Sequence, residues 1–137
     1  QGNNEVNYNT QFIDTAEWLS NEGYVDYICP QIYFGFENEK APYQSTVKDW
    51  ERLIEEDSIR LYVGLAPYKI GVEDTWAGEG AAEWMENDDL LRRMVEYARE
   101  QEHYAGFAMF RYQFLFDPEE AVRGQVEKEL ENLRQLF

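Results

Sequence analysis

A small set of residues in this chain has types and positions suited to holding a ligand: Gln31, Tyr33, Tyr68, Lys69, Trp76, Phe110 and Tyr112. Gln31 is an amide inside the apolar run YVDYICPQIYFGF. An amide taken out of water needs hydrogen-bond partners, which either the core or a ligand can supply. Tyr33 and Tyr68 each offer an apolar ring face and a polar tip, a pairing that suits carbohydrate contact. Lys69 is one of only 12 Lys and Arg in the chain. It could hold a carboxylate substituent of a ligand, or serve as the solvated partner of a neighbouring Asp or Glu. Trp76 lies in GVEDTWAGEGAAEW, among acids and glycines. It is a candidate for stacking on a sugar ring, or for packing inside its own compact loop. Phe110 and Tyr112 continue the aromatic pattern of a later segment.

Covalent and metal chemistry find little support. His103 is the sole histidine and sits in a short connection, where a lone surface histidine is expected. No serine or cysteine has a matching histidine pattern for nucleophilic catalysis. Gly71, Gly78 and Gly80 do not form a phosphate-binding motif, and no twelve-residue calcium loop is present. Cys29 is the single cysteine, so neither an internal disulfide framework nor a multi-cysteine zinc site can form. It reads as a small core residue. No metal and no cofactor is expected.

These residues need elements to position them. Three segments, Tyr24–Phe36, Arg60–Ile70 and Ala105–Phe116, are short, rich in aromatic or β-branched residues and apolar on both alternating sets. Strands buried on both faces read this way and belong to parallel sheets flanked by helices. Around them the sequence predicts helices over Ile13–Asn21, Ser45–Glu56, Asp88–Gln101 and from Pro118 onward. Ser45 or Thr46 is expected to cap the second, and Asn87 or Asp88 the third. The expected stripe of the first helix is Phe12, Ala16, Trp18 and Leu19. That of the last is Ala121, Val122, Val126, Leu130, Leu133 and Leu136. Trp18, Trp50 and Trp84 suit helix–sheet packing.

The order α, β, α, β, α, β, α predicts an α/β fold with right-handed crossovers. Loops leading into the strands are short, whereas Gly35–Gln44 and Gly71–Glu86, which leave them, are long. Such loops build the functional face of an α/β sheet or barrel.

Alternation then sorts side chains. Tyr27, Cys29, Gln31 and Tyr33 share one side of the first strand; Ile28, Pro30, Ile32 and Phe34 share the other. Tyr62, Gly64, Ala66 and Tyr68 alternate with Leu61, Val63, Leu65 and Pro67, the small pair Gly64 and Ala66 leaving room. Gly106, Ala108, Phe110 and Tyr112 face one way. Asp26, at the start of its strand, is expected to anchor a loop.

Composition narrows the partners. The 137 residues are 44% hydrophobic and carry a formal net charge of −16 from 28 Asp and Glu against 12 Lys and Arg. That is too hydrophobic for a disordered acidic tail. It is too acidic to favour nucleic acid or anionic membrane surfaces. No apolar run approaches the ~18 residues a membrane span requires, and the opening QGNNEVNYNT lacks a signal-peptide pattern.

Three motifs carry a family likeness. Asp26–Tyr33 resembles the "DYI-x-PQ-I-Y" strand of the glycosyl-hydrolase-like family ten domains, bacterial (β/α)8 barrels related to glycoside hydrolases. Leu61–Gly71 is similar to that family's "LYIG-x-A-x-YK-x-G" strand, and Gly106–Tyr112 to its "GF-x-x-FSY" terminal strand. Arg111 departs from the pattern, standing where the family usually has a small residue.

The resemblance implies the C-terminal portion of a (β/α)8 TIM barrel, with about three parallel strands and four helices. Residues 1–137 are then its last three βα units plus the preceding helix, since a full barrel needs about 250 residues. The Gln31 and Tyr68 sets would face the barrel interior, with Tyr68 and Lys69 at its mouth. Phe110 would occupy the place where related chitinases carry a sugar-stacking tryptophan. The parent would cleave O-glycosyl bonds of a polysaccharide, in a secreted or cell-envelope setting in a bacterium. Its acidic motif, by a more distant likeness to family 18 chitinases, lies on an earlier strand.

Glycoside hydrolysis generally uses two carboxylates about 5–9.5 Å apart. Glu37, Glu39, Glu73, Asp74 and Glu79 lie near the expected mouth, but none sits in a strand-end motif. No catalytic residue is nominated, and this chain alone is expected to be inactive. The alternative is a non-catalytic glycan-binding or interaction module, forming a homo-oligomer through open sheet edges.

Overall fold

Three strands run parallel in the order of the chain: β1 (Tyr27–Ile28), β2 (Arg60–Leu65) and β3 (Tyr104–Met109). β2 is the central strand, with a partner on each side. Tyr27 pairs with Arg60 and Ile28 with Leu61, and an isolated bridge between Gln31 and Gly64 extends this contact. On the other side Leu61 pairs with Tyr104 but Tyr62 with Gly106. Ala105 is therefore the extra residue of a bulge, and it sets Gly106 and Ala108 on the same face as Tyr62. The structure, a computed structural model, describes residues 8–137.

Residues 8–11 are helical, and the helices that follow are α1 (Thr15–Ser20), α2 (Tyr43–Leu53), α3 (Glu83–Glu86), α4 (Leu90–Ala98), α5 (Tyr112–Phe116) and α6 (Arg123–Arg134). Short 3-10 turns at Pro67–Lys69 and Gly78–Ala82 complete the chain order. The result is an α/β fold of the kind a partial (β/α)8 barrel presents.

Helices cover one face of the sheet. Leu61, Val63 and Leu65 of β2 are 0% exposed beneath them. On α2, Tyr43 and Val47 are buried at helical spacing, and the Tyr43 hydroxyl donates to the Met94 carbonyl of α4 at 2.9 Å. Leu90, Leu91, Met94, Val95 and Ala98 form the fully buried stripe of α4. Trp84 is buried in the same core, as its sequence position suggested, and Trp50 packs against its margin.

Several elements differ from the sequence reading, each for a physical reason. The strands are shorter. Pro30 has no N–H to donate, and after Ile28 only the Gln31 bridge continues the ladder. β2 stops before Pro67, whose fixed φ opens a 3-10 turn. β3 stops at Met109, and residues 112–116 form α5 instead of continuing the strand. Tyr112 and Phe116 stack across one turn of that helix with centroids 4.6 Å apart.

The first helix spans Thr15–Ser20, capped by the Asp14 side chain accepting the Glu17 N–H at 3.1 Å. Only Thr15 and Leu19 of it are buried; Ala16 is exposed and Phe12, before the helix, is 87% exposed. The second helix begins at Tyr43 after Pro42. Ser45 and Thr46 donate back to the Pro42 carbonyl, so they do not cap it. The third begins at Leu90 with no cap from Asn87 or Asp88. Its cap comes from Glu129 of α6, whose carboxylate accepts the N–H groups of Leu90 and Leu91, both at 2.9 Å. The last helix starts at Arg123, not at Pro118, so Ala121 lies outside it and is exposed.

His103 is not a surface residue. Its Nδ1 lies 2.8 Å from Glu51 Oε1 in a mostly buried pair between α2 and the start of β3.

Candidate functional site at the strand ends

The two loops that leave β1 and β2 hold each other. Loop 35–42 accepts and donates across to residues 71–83. The Glu39 N–H donates to the Ala77 carbonyl at 3.1 Å, and the Glu79 N–H returns to Glu39 Oε1 at 3.1 Å. Glu83, at the head of α3, accepts the N–H groups of Phe36 and Glu37 at 2.9 and 3.0 Å. Burial pushes the Glu83 carboxyl upward, and those two donors pull it partly back. Gly35 is needed here because a Cβ would collide with the Glu83 carboxylate. Asn38 is buried and closes its own turn by accepting from the N–H groups of Lys40 and Ala41.

Lys69 and Asp74 form the central polar contact of the second loop. Lys69 Nζ lies 2.6 Å from Asp74 Oδ2, with the side chains 17% and 4% exposed. Lys69 therefore has an acid for a partner, but the pair is buried instead of solvated. Asp74 Oδ1 accepts the Trp76 N–H at 3.4 Å, and the Asp74 backbone bonds to Ala77 and Ala81. The backbone around Trp76 is thus pinned, while its side chain stands 78% exposed.

Beside Lys69, an aromatic row crosses the strand ends. The Tyr33 and Tyr68 rings meet edge-on at 5.8 Å, and Tyr68 meets Phe114 of α5 at 5.8 Å. Burial raises the Tyr68 hydroxyl pKa, with Tyr33 and Asp74 adding to it; burial and then Cys29 raise Tyr33. Both phenols stay protonated near neutral pH and can donate as well as accept. Phe110 is exposed at the end of β3, its N–H bonded to the Leu65 carbonyl at 3.1 Å; the peptide bond to Arg111 is cis. The Arg111 guanidinium lies 5.6 Å from the Phe114 ring and 6.0 Å from the Phe110 ring.

The structure thus brings Tyr33, Tyr68, Lys69 and the Trp76 backbone into one connected rim, with Phe110 joined to it through Arg111 and Phe114. Tyr112 belongs to α5 and is engaged by Phe116. Gln31 is exposed beside its bridge to Gly64, so the premise of a buried amide does not hold. Phe114 escapes a sequence reading because residues 112–116 resemble strand, and Arg111 stood out only as a departure from the family pattern. The i,i+4 spacing of Tyr112 and Phe116 is the signal that could have found the helix.

Below the rim, the face opposite the helices is open. Tyr27, Cys29, Tyr62 and Ala108 line a depression of about 410 Å³. Tyr27 meets Tyr62 edge-on at 5.4 Å, and Tyr62 lies across Gly106, where a Cβ would contact its ring. The room is not at Gly64 and Ala66, both of which are buried. A Cβ on Gly64 would sit 2.8 Å from the Pro30 carbonyl oxygen, so glycine is required there for backbone approach. Cys29 is half-buried on this open face instead of in the core, and burial keeps its thiol protonated by raising its pKa.

Of the acids near the mouth, Asp74 is committed to Lys69 and Glu39 to the Glu79 backbone. Glu37, Glu73 and Glu79 are exposed. Among the described residues, no group of three or more His, Cys, Asp and Glu side chains converges as a metal site would.

A parallel sheet covered by helices on one face, with a rim of aromatic side chains at its strand ends, defines an α/β protein of the kind a partial (β/α)8 barrel presents. Sequence similarity agrees. The family described as Glycosyl hydrolase-like 10 matches residues 1–86, and the chain belongs to it. The Glycosyl hydrolase DigH of Escherichia coli strain K12 is 30% identical over 114 residues, covering 82% of this chain and 25% of that protein. The Glycosyl hydrolase YngK of Bacillus subtilis strain 168 is 38% identical over 64 residues, 47% of this chain and 12% of that protein. The chain therefore spans about a quarter of the length of the first of these relatives. No helix among the described residues is long and apolar enough to cross a membrane.

Proposed function

We propose that the strand-end rim binds a glycan, and that residues 1–137 supply part of the substrate wall of a glycoside-hydrolase-like barrel as its last three βα units. One observation carries this reading. Trp76 is exposed on a loop whose backbone is held by a buried ion pair. A large aromatic kept in water by a rigid support is suited to stacking on a sugar ring, which offers an apolar face of its own. Tyr33 and Tyr68 supply protonated hydroxyls beside it, Gln31 an exposed amide, and Phe110 and Tyr112 further ring surface. Lys69 contributes by holding the loop.

The substrate class is a polysaccharide, in the secreted or envelope setting of a bacterium. Hydrolysis falls to carboxylates other than the structurally committed Asp74, Glu39 and Glu83. Titrating the protein with soluble chitin, peptidoglycan and plant-glycan oligomers tests this. Trp76→Ala is expected to weaken binding of the recognised glycan about 5- to 150-fold, the ~1–3 kcal/mol range of a stacking anchor. Unchanged binding in Trp76→Ala would remove the main support. Turnover abolished by Glu73→Gln would show that an acid of this rim does chemistry.

A second reading has its own observation. The face lined by Tyr27, Cys29, Tyr62 and Ala108 is open, and among the described residues β1 and β3 each have one unpaired edge. An interaction module would cover them with a second copy. Light scattering across a concentration series separates the two, since a dilute, stable monomer is incompatible with the second.

A further inference from the structure

We propose that Arg111 makes the rim selective for glycans that carry carboxylates; this rests on the glycan-binding reading above. In a chain with net charge −16, the cations at the strand ends have unequal fates. Lys69, one of whose two expected partners was an acidic substituent, is paired with Asp74 at 2.6 Å and largely buried. Among the described residues, ion pairs also engage Arg52, Arg92, Arg93, Arg123 and Lys128. Arg111, exposed directly after the end of β3, is in none of them. Lys40, Lys48, Arg60, Arg99 and Arg134 are not in them either, and of these six it is Arg111 whose guanidinium lies against the Phe110 and Phe114 rings of the strand-end row.

Its guanidinium is nevertheless held in place. Nη2 donates to Gln113 Oε1 at 3.0 Å, and the group lies near the rings of Phe114 and Phe110. A guanidinium has five N–H donors in a rigid fork, so this hydrogen bond leaves most of them free. Restrained by an amide and two aromatic rings, the fork retains the geometry that engages a carboxylate through two parallel hydrogen bonds. Its neighbour Phe114 touches Tyr68, which touches Tyr33. A sugar lying on this row would bring an exocyclic carboxylate within reach of Arg111. The acidic remainder of the surface opposes this weakly, because exposed charges beyond about 8 Å are screened at physiological salt.

The test compares two ligands of one linkage, cellotetraose and β-1,4-linked tetraglucuronate, which differ only in having CH2OH or carboxylate at C6. Calorimetric titration of the wild-type protein is expected to show tighter binding of tetraglucuronate. In Arg111→Gln the ratio of the two affinities should fall by about fivefold, the upper end for an ion pair with solvent access. Arg111→Lys should keep part of the preference, and its loss with rising salt should be steeper in wild type than in Arg111→Gln. Circular dichroism checks that the exposed substitutions leave the fold intact. An unchanged ratio in Arg111→Gln, while Trp76→Ala weakens both ligands, overturns the role of Arg111 and leaves the glycan rim standing. Equal loss of both ligands in Arg111→Gln makes Arg111 a general wall residue and also overturns the selectivity. Binding of neither ligand, in a protein that also ignores the chitin, peptidoglycan and plant-glycan oligomers, removes the rim itself and this inference with it.

Discussion

The two faces of the sheet are both apolar and meet opposite fates. Leu61, Val63 and Leu65 lie under helices and exclude water completely, whereas Tyr27 on the opposite face is 59% exposed. Alternation in the sequence shows that both sets are apolar. It does not show which set finds a partner within the chain. The difference teaches that packing is confined to the helix side, while the other side presents open aromatic surface.

The largest test of that contrast is truncation on the covered side. Leu61→Ala should destabilise by about 2–5 kcal/mol, the usual range for a buried leucine whose surroundings relax incompletely. Urea unfolding followed by far-UV circular dichroism reads this as a lower midpoint with little change in slope. A loss below about 1 kcal/mol would mean that the helix-covered face is not the stabilising core.

The covered side also contains an ionisable group, and its titration gives a second, smaller effect. Glu129 is fully buried between α6 and the start of α4. Burial pushes its carboxyl up to about 7 from 4.5, against the opposing pull of the Leu91 and Leu90 N–H groups, with Asp89 and Asp88 adding to the rise. The folded state then binds more protons than the unfolded state between these values. Stability is fully present below about 4.5 and is lost as pH rises through about 7. A tenfold change in proton affinity is worth about 1.4 kcal/mol, so a rise from 4.5 to about 7 contributes on the order of 3 kcal/mol. Glu129→Gln removes the charge and keeps an acceptor for one N–H, so its unfolding free energy should lose most of this pH dependence. Equal pH slopes in wild type and Glu129→Gln would show that the ionised carboxylate is accommodated without penalty.

Glu129 also marks the boundary of what a sequence can disclose. The α, β, α order, the parallel sheet and the α4 stripe were legible because each depends on local periodicity. That Tyr33, Tyr68 and Phe110 lie toward one end of the sheet was legible for the same reason, although Tyr33 and Tyr68 stand beyond the strands, Tyr68 in the 3-10 turn after β2. The cap of α4 was not, because its acceptor comes from a residue 39 positions away. Glu129 even interrupts an otherwise regular apolar stripe. The burial of Lys69 with Asp74 was half-legible: the pairing of a rare cation with an acid could be anticipated, its withdrawal from solvent could not. Residues 112–116 misled because aromatic content describes a strand and a short aromatic helix equally well. Only the i,i+4 pair Tyr112 and Phe116 separates them.

The smallest effect is expected on the open face, and it is also the most discriminating. Tyr27 touches Tyr62 edge-on and is otherwise largely in water. Tyr27→Ala removes that ring contact and little buried area, so a monomer should lose no more than about 1 kcal/mol. The same substitution measured at two protein concentrations tells whether the face is covered in solution. If a second copy lay over Tyr27, Cys29, Tyr62 and Ala108, wild-type stability would rise with concentration by mass action. The cost of Tyr27→Ala would then rise with it, toward that of a buried aromatic. A cost that stays small and independent of concentration assigns the face to open surface, and leaves Trp76 and the strand-end rim as the part of the molecule available to a glycan.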